Sequence, residues 1–419
     1  MGGVPSHLRG EFNKRFRQIR DWLASSDPAD GDRAIATLRL LADPHLFARL
    51  LDGTRVPNGR IKPNPFFQGR EAMLHAVALA APEDDVVARA VRATIHSLTL
   101  SGAGFVGAEL ARVPTVTSLT LASGVLDAGV WRALSALPAL RALRLVDVEL
   151  APGFRFEGNL LRRLDLVRVR GLASLAPLQD LGGLESLRLE GLERVDLAGL
   201  ADLEGIQRLR LSNLATLEGA AELDAVPCSL LALAIIRCPW LTSFQRIGGH
   251  RQLRQVHVGH CPNLASLAGL ERTGVDLLCM QHNALEILDA LPATLVELHI
   301  EGGVRDLRAI AGCPALEMLS LTEAPVTDIS PLRGARALRR ARIDTCESFS
   351  DATPLAACPR LEVVELPRCR GITTIDGVHA VHLVLTGTQF GRGKDFYGRA
   401  PLHYWEGPPY FRYTNHDGW

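Results

Sequence analysis

The sequence predicts an α/β solenoid: a stack of short parallel strands set between a helical N-terminal module and an irregular C-terminal tail. Three observations lead there. A six-residue phrase, Leu-x-x-Leu-x-Leu with apolar replacements, recurs from Ile95 to Ala380. Its step is nearly constant at about 22 residues, within the roughly 20–29-residue span of the shorter solenoid repeats. The two ends, residues 1–90 and 390–419, lack the phrase and differ from the middle in composition.

Residues 1–90 read as helices. Residues 11–24 place Phe12, Phe16, Ile19 and Leu23 at helical spacing. Residues 32–51 continue with Ile35, Leu38, Leu41, Leu46, Phe47 and Leu50. Residues 69–81 form a third helical pattern, and residues 84–94 a fourth that runs into the first phrase. Asp27-Pro28 and residues 57–65 mark the breaks. The pairing is vaguely HEAT-like. A solenoid end exposes apolar core, so the module suits an N-terminal cap; an independent binding module is the competing reading.

The phrase then repeats at Ile95, Val116, Leu140, Leu161, Leu184, Ile206, Leu230, Leu253, Val275, Leu295, Leu316, Leu338 and Leu361, with a degraded copy at Ala380. Its closing half alternates apolar and variable residues, the pattern of a short strand with one buried face. One copy cannot bury its own apolar side. Stacked copies can, each strand pairing in parallel with the next at about 4.8 Å. Pro114, Pro138, Pro314 and Pro359 precede strands, where a missing N–H does no harm. The connectors read as turns or short 3₁₀ segments. Residues 126–137 are long enough for a helix, with Asp127 as its N-cap.

Phrase and step together resemble the leucine-rich-repeat family, in its bacterial type with repeats of about 22 residues, over about 70% of the chain. The resemblance implies a horseshoe of about 13–14 repeats over residues 91–389, with a parallel sheet on the concave side. It also implies Asn or Cys three residues after the last Leu, bonding backbone groups that have left the sheet. Cys238, Cys261, Cys346, Cys369 and Asn283 match; Leu192, Leu214, Gly303 and Ala324 depart.

Residues 390–419 hold all four Tyr of the chain among closely spaced Gly and Pro. Tyr404, Trp405, Tyr410 and Tyr413 are candidate anchors, either of a cap folded over the last repeat or of a partner-binding tail.

Composition narrows the function. Lys+Arg and Asp+Glu balance at 46 each, so no global charge argues for nucleic acid or a membrane. Arg outnumbers Lys 43 to 3, which we read as codon bias of a GC-rich bacterial genome. No apolar run is long enough to span a bilayer, and residues 1–20 lack the apolar core of a signal peptide. Eight Cys at mostly repeat-equivalent places read as reduced, buried thiols of a cytoplasmic protein.

No catalytic motif stands out: the chain has no GxxxxGK[ST] phosphate loop, HExxH or GxSxG. A non-enzymatic protein without cofactor or metal is expected. In each strand the residue between the two closing apolar positions projects from the concave face. Arg144, Arg188, Arg210, His257, Cys279, His299 and Arg342 belong to this row, and Arg163 and Arg208 flank it. His260 and His282 lie nearby. Arg over the third to sixth repeats can grip carboxylates or phosphates; the plain alternative is a solvated face of cross-strand Arg–Asp and Arg–Glu pairs. His257, Cys279 and His299 could ligate zinc or activate a thiol, but ligands about 4.8 Å apart on flat strands converge poorly on one ion. The leading expectation is therefore a protein–protein interaction scaffold using the concave face. A polyanion or nucleic-acid binder using the Arg stripe comes second, without the aromatic platform of single-strand binders.

Overall fold

The computed structural model describes residues 9–390 apart from 102–106, 159–160, 194, 198, 201, 216, 219–225, 228 and 248. Tyr404, Trp405, Tyr410 and Tyr413 lie outside the described residues. The chain divides into two units, residues 1–275 and 276–419.

The first unit begins with helices α1 (Arg9–Ala24), α2 (Pro28–Leu41), α3 (Pro44–Leu51), α4 (Glu71–Ala80) and α5 (Val86–Arg92). The pattern over residues 32–51 is two helices rather than one. Asp27 caps α2, accepting from the Ala29 N–H, and Pro28 opens it. Asp43 and Pro44 repeat the device for α3, with the Asp43 carboxylate accepting from the His45 N–H. Proline fits the first helical position because its missing N–H would be unsatisfied there anyway. Between the two, Ala42 turns left-handed at φ 44° and ends α2. Asp-Pro, read as a break, is here a start signal.

Ile19 and Leu23, Ile35 and Leu38, Phe47 and Leu50, and Leu74 and Val77 make the core of this module. Helix α4 packs on the first strand. The buried Arg92 guanidinium ties the end of α4 to the chain entering that strand by donating to the carbonyls of Ala78, Ala81, Pro82 and Glu83. A short helix α6 (Gly107–Leu110) follows the first strand, and its Glu109 takes a two-pronged ion pair from Arg39 of α2, at 2.6 and 2.8 Å.

The strands of the first unit are β1 (Ser97–Ser101), β2 (Ser118–Ala122), β3 (Val125–Leu126), β4 (Ala142–Val146), β5 (Glu149–Leu150), β6 (Arg163–Val167), β7 (Ser186–Glu190), β8 (Val195–Asp196), β9 (Arg208–Ser212), β10 (Leu217–Glu218), β11 (Ala232–Ile236) and β12 (Gln255–Gly259). Eight of them form a parallel ladder in the order β1-β2-β4-β6-β7-β9-β11-β12. The two-residue strands pair separately on the connectors, β3 with β5 and β8 with β10. Helix α7 (Ala128–Ser135) lies where the sequence places it, with Asp127 accepting from the Val130 N–H. Its Trp131 meets Phe154 and Phe156 edge to face at 6.1 and 5.0 Å.

The second unit carries β13 (Leu277–Gln281), β14 (Glu297–Glu301), β15 (Met318–Thr322), β16 (Arg340–Asp344), β17 (Val363–Glu365) and β18 (His382–Val384), all parallel and paired in sequence order. Its connectors are 3₁₀ turns at Arg308–Gly312, Ser330–Gly334 and Thr353–Ala357.

Every strand of the ladder falls on the closing half of a phrase, and the registers align the phrases residue for residue. Leu98, Leu119, Leu143, Leu164, Leu187, Leu209, Leu233 and Val256 stack in one line, each at most 1% exposed. Each such burial stabilises by about 2 kcal/mol. Backbone bonding extends the ladder beyond both strand ends. At the start, one carbonyl serves two N–H groups of the next repeat, as His96 does for Thr117 and Ser118. At the end comes a left-handed residue in repeat after repeat: Ser123, Asp147, Arg168, Gly191, Asn213, Arg237 and His260 in the first unit, and His282, Gly302, Glu323, Thr345 and Arg368 in the second. Its N–H reaches the next repeat; Arg168, for example, donates to the Glu190 carbonyl at 2.7 Å.

A side chain at a left-handed position costs about 1 kcal/mol, so its recurrence shows what the extra ladder bond is worth. Glu323 is exposed at φ 52°. Glu323→Gly should relieve that strain and raise the unfolding free energy by about 0.5 kcal/mol after glycine's greater unfolded entropy is counted, read as a higher Tm in calorimetry.

Candidate partner-binding surface

Because the Leu positions face inward, residues on either side of them form the open face of each sheet. In the first unit the middle row runs Thr99, Thr120, Arg144, Asp165, Arg188, Arg210, Ala234 and His257, each in register with the next. Arg163 and Arg208 stand two residues earlier on β6 and β9. In the second unit the row runs Cys279, His299, Ser320, Arg342 and Glu365.

The arginines do not form one uniform stripe. On β6, Arg163 grips Asp165 with Nε at 3.0 Å and Nη2 at 2.9 Å, and Asp165 is only 3% exposed. On β7, Arg188 donates to Glu190 through Nε at 2.9 Å. On β9, Arg210 Nε donates to Ser212 Oγ at 3.2 Å. The pairs therefore run along the strand, between residues two apart on one face, and not between neighbouring strands as in the solvated-face alternative. Arg144 Nε is buried and has no hydrogen-bond partner. Arg141 and Arg168 leave the face altogether. Arg141 bonds the Pro138 and Leu140 carbonyls before β4. Arg168, in the left-handed turn, forks onto Asp147 at 2.6 and 2.7 Å, and that hydrogen-bonded contact holds the Asp147 carboxyl below its ordinary value.

Sign of charge differs between the two faces. The first unit's face carries Arg144, Arg163, Arg188, Arg208 and Arg210 against Asp165 and Glu190. The second unit's face carries Glu297, Glu301, Asp344 and Glu365 against Arg340 and Arg342. Arg342, pooled with the basic positions in the sequence, in fact bonds Asp344 at 2.9 Å and Glu365 at 3.1 Å. Asp344, which sequence reasoning missed, is the hub there. It is 3% exposed and also accepts from Arg368 at 2.7 Å and Thr345 Oγ1 at 2.8 Å. Burial pushes its carboxyl up, but the hydrogen bonds from Arg368, Thr345 and Arg342 outweigh that and leave it below the usual value. Tabulating all three outward positions of each strand, instead of the middle one, would have exposed the acidic face.

Cys279 and His299 are register partners on β13 and β14. Cys279 is only 4% exposed despite its place in the open row. His299 Nε2 stands 3.6 Å from Glu297 Oε2. His257 lies on β12, opposite Ala234 of β11. His260 and His282 occupy left-handed turns, and His282 Nε2 is 3.2 Å from Glu301. Among the described residues, no three His, Cys, Asp or Glu side chains are placed to share a metal ion. Among them, too, no helix is long and apolar enough to cross a membrane.

The cysteines after the strands bond backbone carbonyls, as the resemblance implies, but those carbonyls belong to strand residues and have not left the sheet. Cys238 Sγ donates to the Ile236 and Leu211 carbonyls at 3.4 and 3.8 Å, and Cys369 Sγ to Ile343 at 3.1 Å. Burial pushes the Cys238 and Cys346 thiols up to about 12 and Cys313 to about 11. At Gly303 the same position lacks room for a side chain, since a Cβ would sit 2.7 Å from the Asn283 carbonyl oxygen.

Two outcomes follow. The Asp344 carboxylate stabilises the fold fully above its unfolded value near 3.9 and loses that effect as pH falls through its lower folded value. Asp344→Asn should therefore cost about 1–2 kcal/mol at neutral pH, with both arginine partners partly solvated. The gap from wild type should close in melts taken from about pH 5 to about pH 2. Second, the seven described cysteines are buried and should resist a thiol reagent in the native protein, so that at most one of the eight Cys reacts until denaturant is added.

No protein-family model matches the chain, and no curated protein matches it. Similar solved structures include an internalin from Listeria monocytogenes, 16% identical with a TM-score of 0.42, covering 76% of this chain and 88% of that one. A leucine-rich-repeat protein of Leptospira interrogans is 16% identical with a TM-score of 0.31, covering 70% and 94%. The plant peptide hormone receptor RGFR1 in complex with RGF2 is 16% identical with a TM-score of 0.42, over 70% of this chain and 54% of the receptor. At such scores none of them carries a functional argument. The architecture stands on this chain's own strands and registers, and these are those of a leucine-rich-repeat solenoid.

Proposed function

We propose that the chain is a non-enzymatic binding scaffold that takes a protein partner on the open face of its first unit. One observation carries this reading: the register of eight parallel strands lays five arginines and their hydroxyl neighbours on a single face in fixed order. Side chains ordered before the partner arrives lose little entropy on binding. Arg188 is 12% exposed and locked to Glu190, which is the rigidity such a surface needs. Thiols pushed up by burial are poor nucleophiles, which favours binding over catalysis. A core holding these thiols suits a reducing compartment, and we place the protein in the cytoplasm. The N-terminal helices act as a cap, in keeping with the contact of α4 on β1.

The test is affinity capture from native lysate at low and high salt, followed by mass spectrometry. Wild type is compared with a variant combining Arg144→Glu, Arg188→Glu and Arg210→Glu, its melting curve checked first. A protein partner retained at high salt by wild type and lost by the variant is the expected result. Equal recovery by both would remove this face from consideration. Nucleic acid captured only at low salt would instead favour a polyanion binder.

A further inference from the structure

The first unit's open face holds more positive charge than its own acids neutralise. Asp165 is the register neighbour of Arg144, yet both its oxygens are already taken by Arg163. Glu190 is held by Arg188 through one oxygen, Oε2. Arg210 bonds the Ser212 hydroxyl, and two guanidinium groups are left over. Arg144 has a buried Nε with no acceptor. Arg208 has no ion-pair or hydrogen-bond partner for its side chain among the described residues. Both are half-buried. A guanidinium that has lost part of its water without gaining an acceptor is under-satisfied, and an incoming carboxylate restores what is missing.

The positions of these two groups set the shape of the ligand. From β4 to β9 there are three strand steps, through β6 and β7. At about 4.8 Å each, the separation is about 14 Å across the strands, and Arg208 is offset by about 7 Å along them, giving roughly 16 Å between Cα atoms. In an extended chain only even spacings place two side chains on one face, at about 7, 13 and 20 Å. The spacing of four residues lies nearest, and the swing of two arginine side chains covers the remaining few ångströms. No Phe, Tyr or Trp occurs in the eight ladder strands of this unit, so a nucleic-acid strand would find no run of large aromatic faces to stack on.

We propose that this face binds an extended acidic segment of a partner protein whose carboxylates stand four residues apart, one on Arg144 and the other on Arg208. The proposal rests on the reading of this face as the docking surface and names what docks there.

The test is fluorescence anisotropy on the full chain at near-physiological salt. The probe is a labelled peptide, Ser-Thr-Asp-Thr-Ser-Thr-Asp-Thr-Ser. It is compared with a peptide whose acids are three residues apart, with one carrying Asn in place of both Asp, and with an oligothymidine strand. Arg144→Gln and Arg208→Gln variants are tested singly, with Arg340→Gln of the second unit as control and melting curves to confirm folding. The proposal expects the four-residue spacing to bind at least tenfold tighter than the other peptides. It also expects each first-unit variant to lose about tenfold and the control to lose nothing. Equal binding of both acidic spacings, indifference to Arg144→Gln and Arg208→Gln, or tighter binding of oligothymidine would each overturn it. If no peptide binds while lysate capture still yields a partner lost by the triple variant, the acidic-segment proposal fails and the docking surface stands. If both experiments fail, the surface falls with it.

Discussion

The parallel register between successive repeats is the constraint on which everything else in this protein depends. A strand of five residues has too little apolar surface to be stable alone. Paired in register, it places Leu on Leu down a continuous line and bonds its backbone to both neighbours. A slip of one residue would turn every Leu outward and every arginine inward, so the buried line enforces the order of the open face. The left-handed residue after each strand belongs to the same constraint. Its strain is accepted even by Arg237 and Thr345 because its N–H finds the next repeat only in that conformation.

From that register the electrostatics follow. Residues two apart on one strand point the same way, so Arg163 with Asp165, Arg188 with Glu190, and Arg342 with Asp344 pair along their strands. Cross-strand bonding then uses what remains, as when Arg342 also reaches Glu365. On the first unit's face the arginines outnumber the acids, Arg210 turns to the Ser212 hydroxyl, and Arg144 Nε and the Arg208 guanidinium are left without an acceptor among the described residues. On the second unit's face the balance is reversed, and Asp344 collects two arginines and a threonine. A charge count over the whole chain, 46 against 46, hides this segregation.

The buried cysteines illustrate how one position serves one purpose with several residue types. Cys238 and Cys369 donate to carbonyls of the strand ends, Leu192, Leu214 and Ala324 simply fill the space, and Gly303 yields it to the Asn283 carbonyl. The departures from Asn or Cys are thus local packing solutions.

The sequence by itself determined the fold. A period of about 22 residues with strict alternation has one way to bury its apolar side, and the strands, the 3₁₀ connectors and the α7 helix with its Asp127 cap fall where that pattern puts them. It also determined which residues share the open row, because register follows from repeat phase. Tertiary structure alone decided which of those residues are satisfied. Whether Asp165 pairs with Arg144 beside it or Arg163 behind it depends on side-chain paths of a few ångströms, which no spacing in the chain encodes. The split of residues 32–51 into two helices was also hidden, because Asp-Pro reads equally as a break and as a helix start until the cap bond to His45 is seen. Periodicity specifies backbone; the allocation of charge is a competition among neighbours, and only their positions in space settle it.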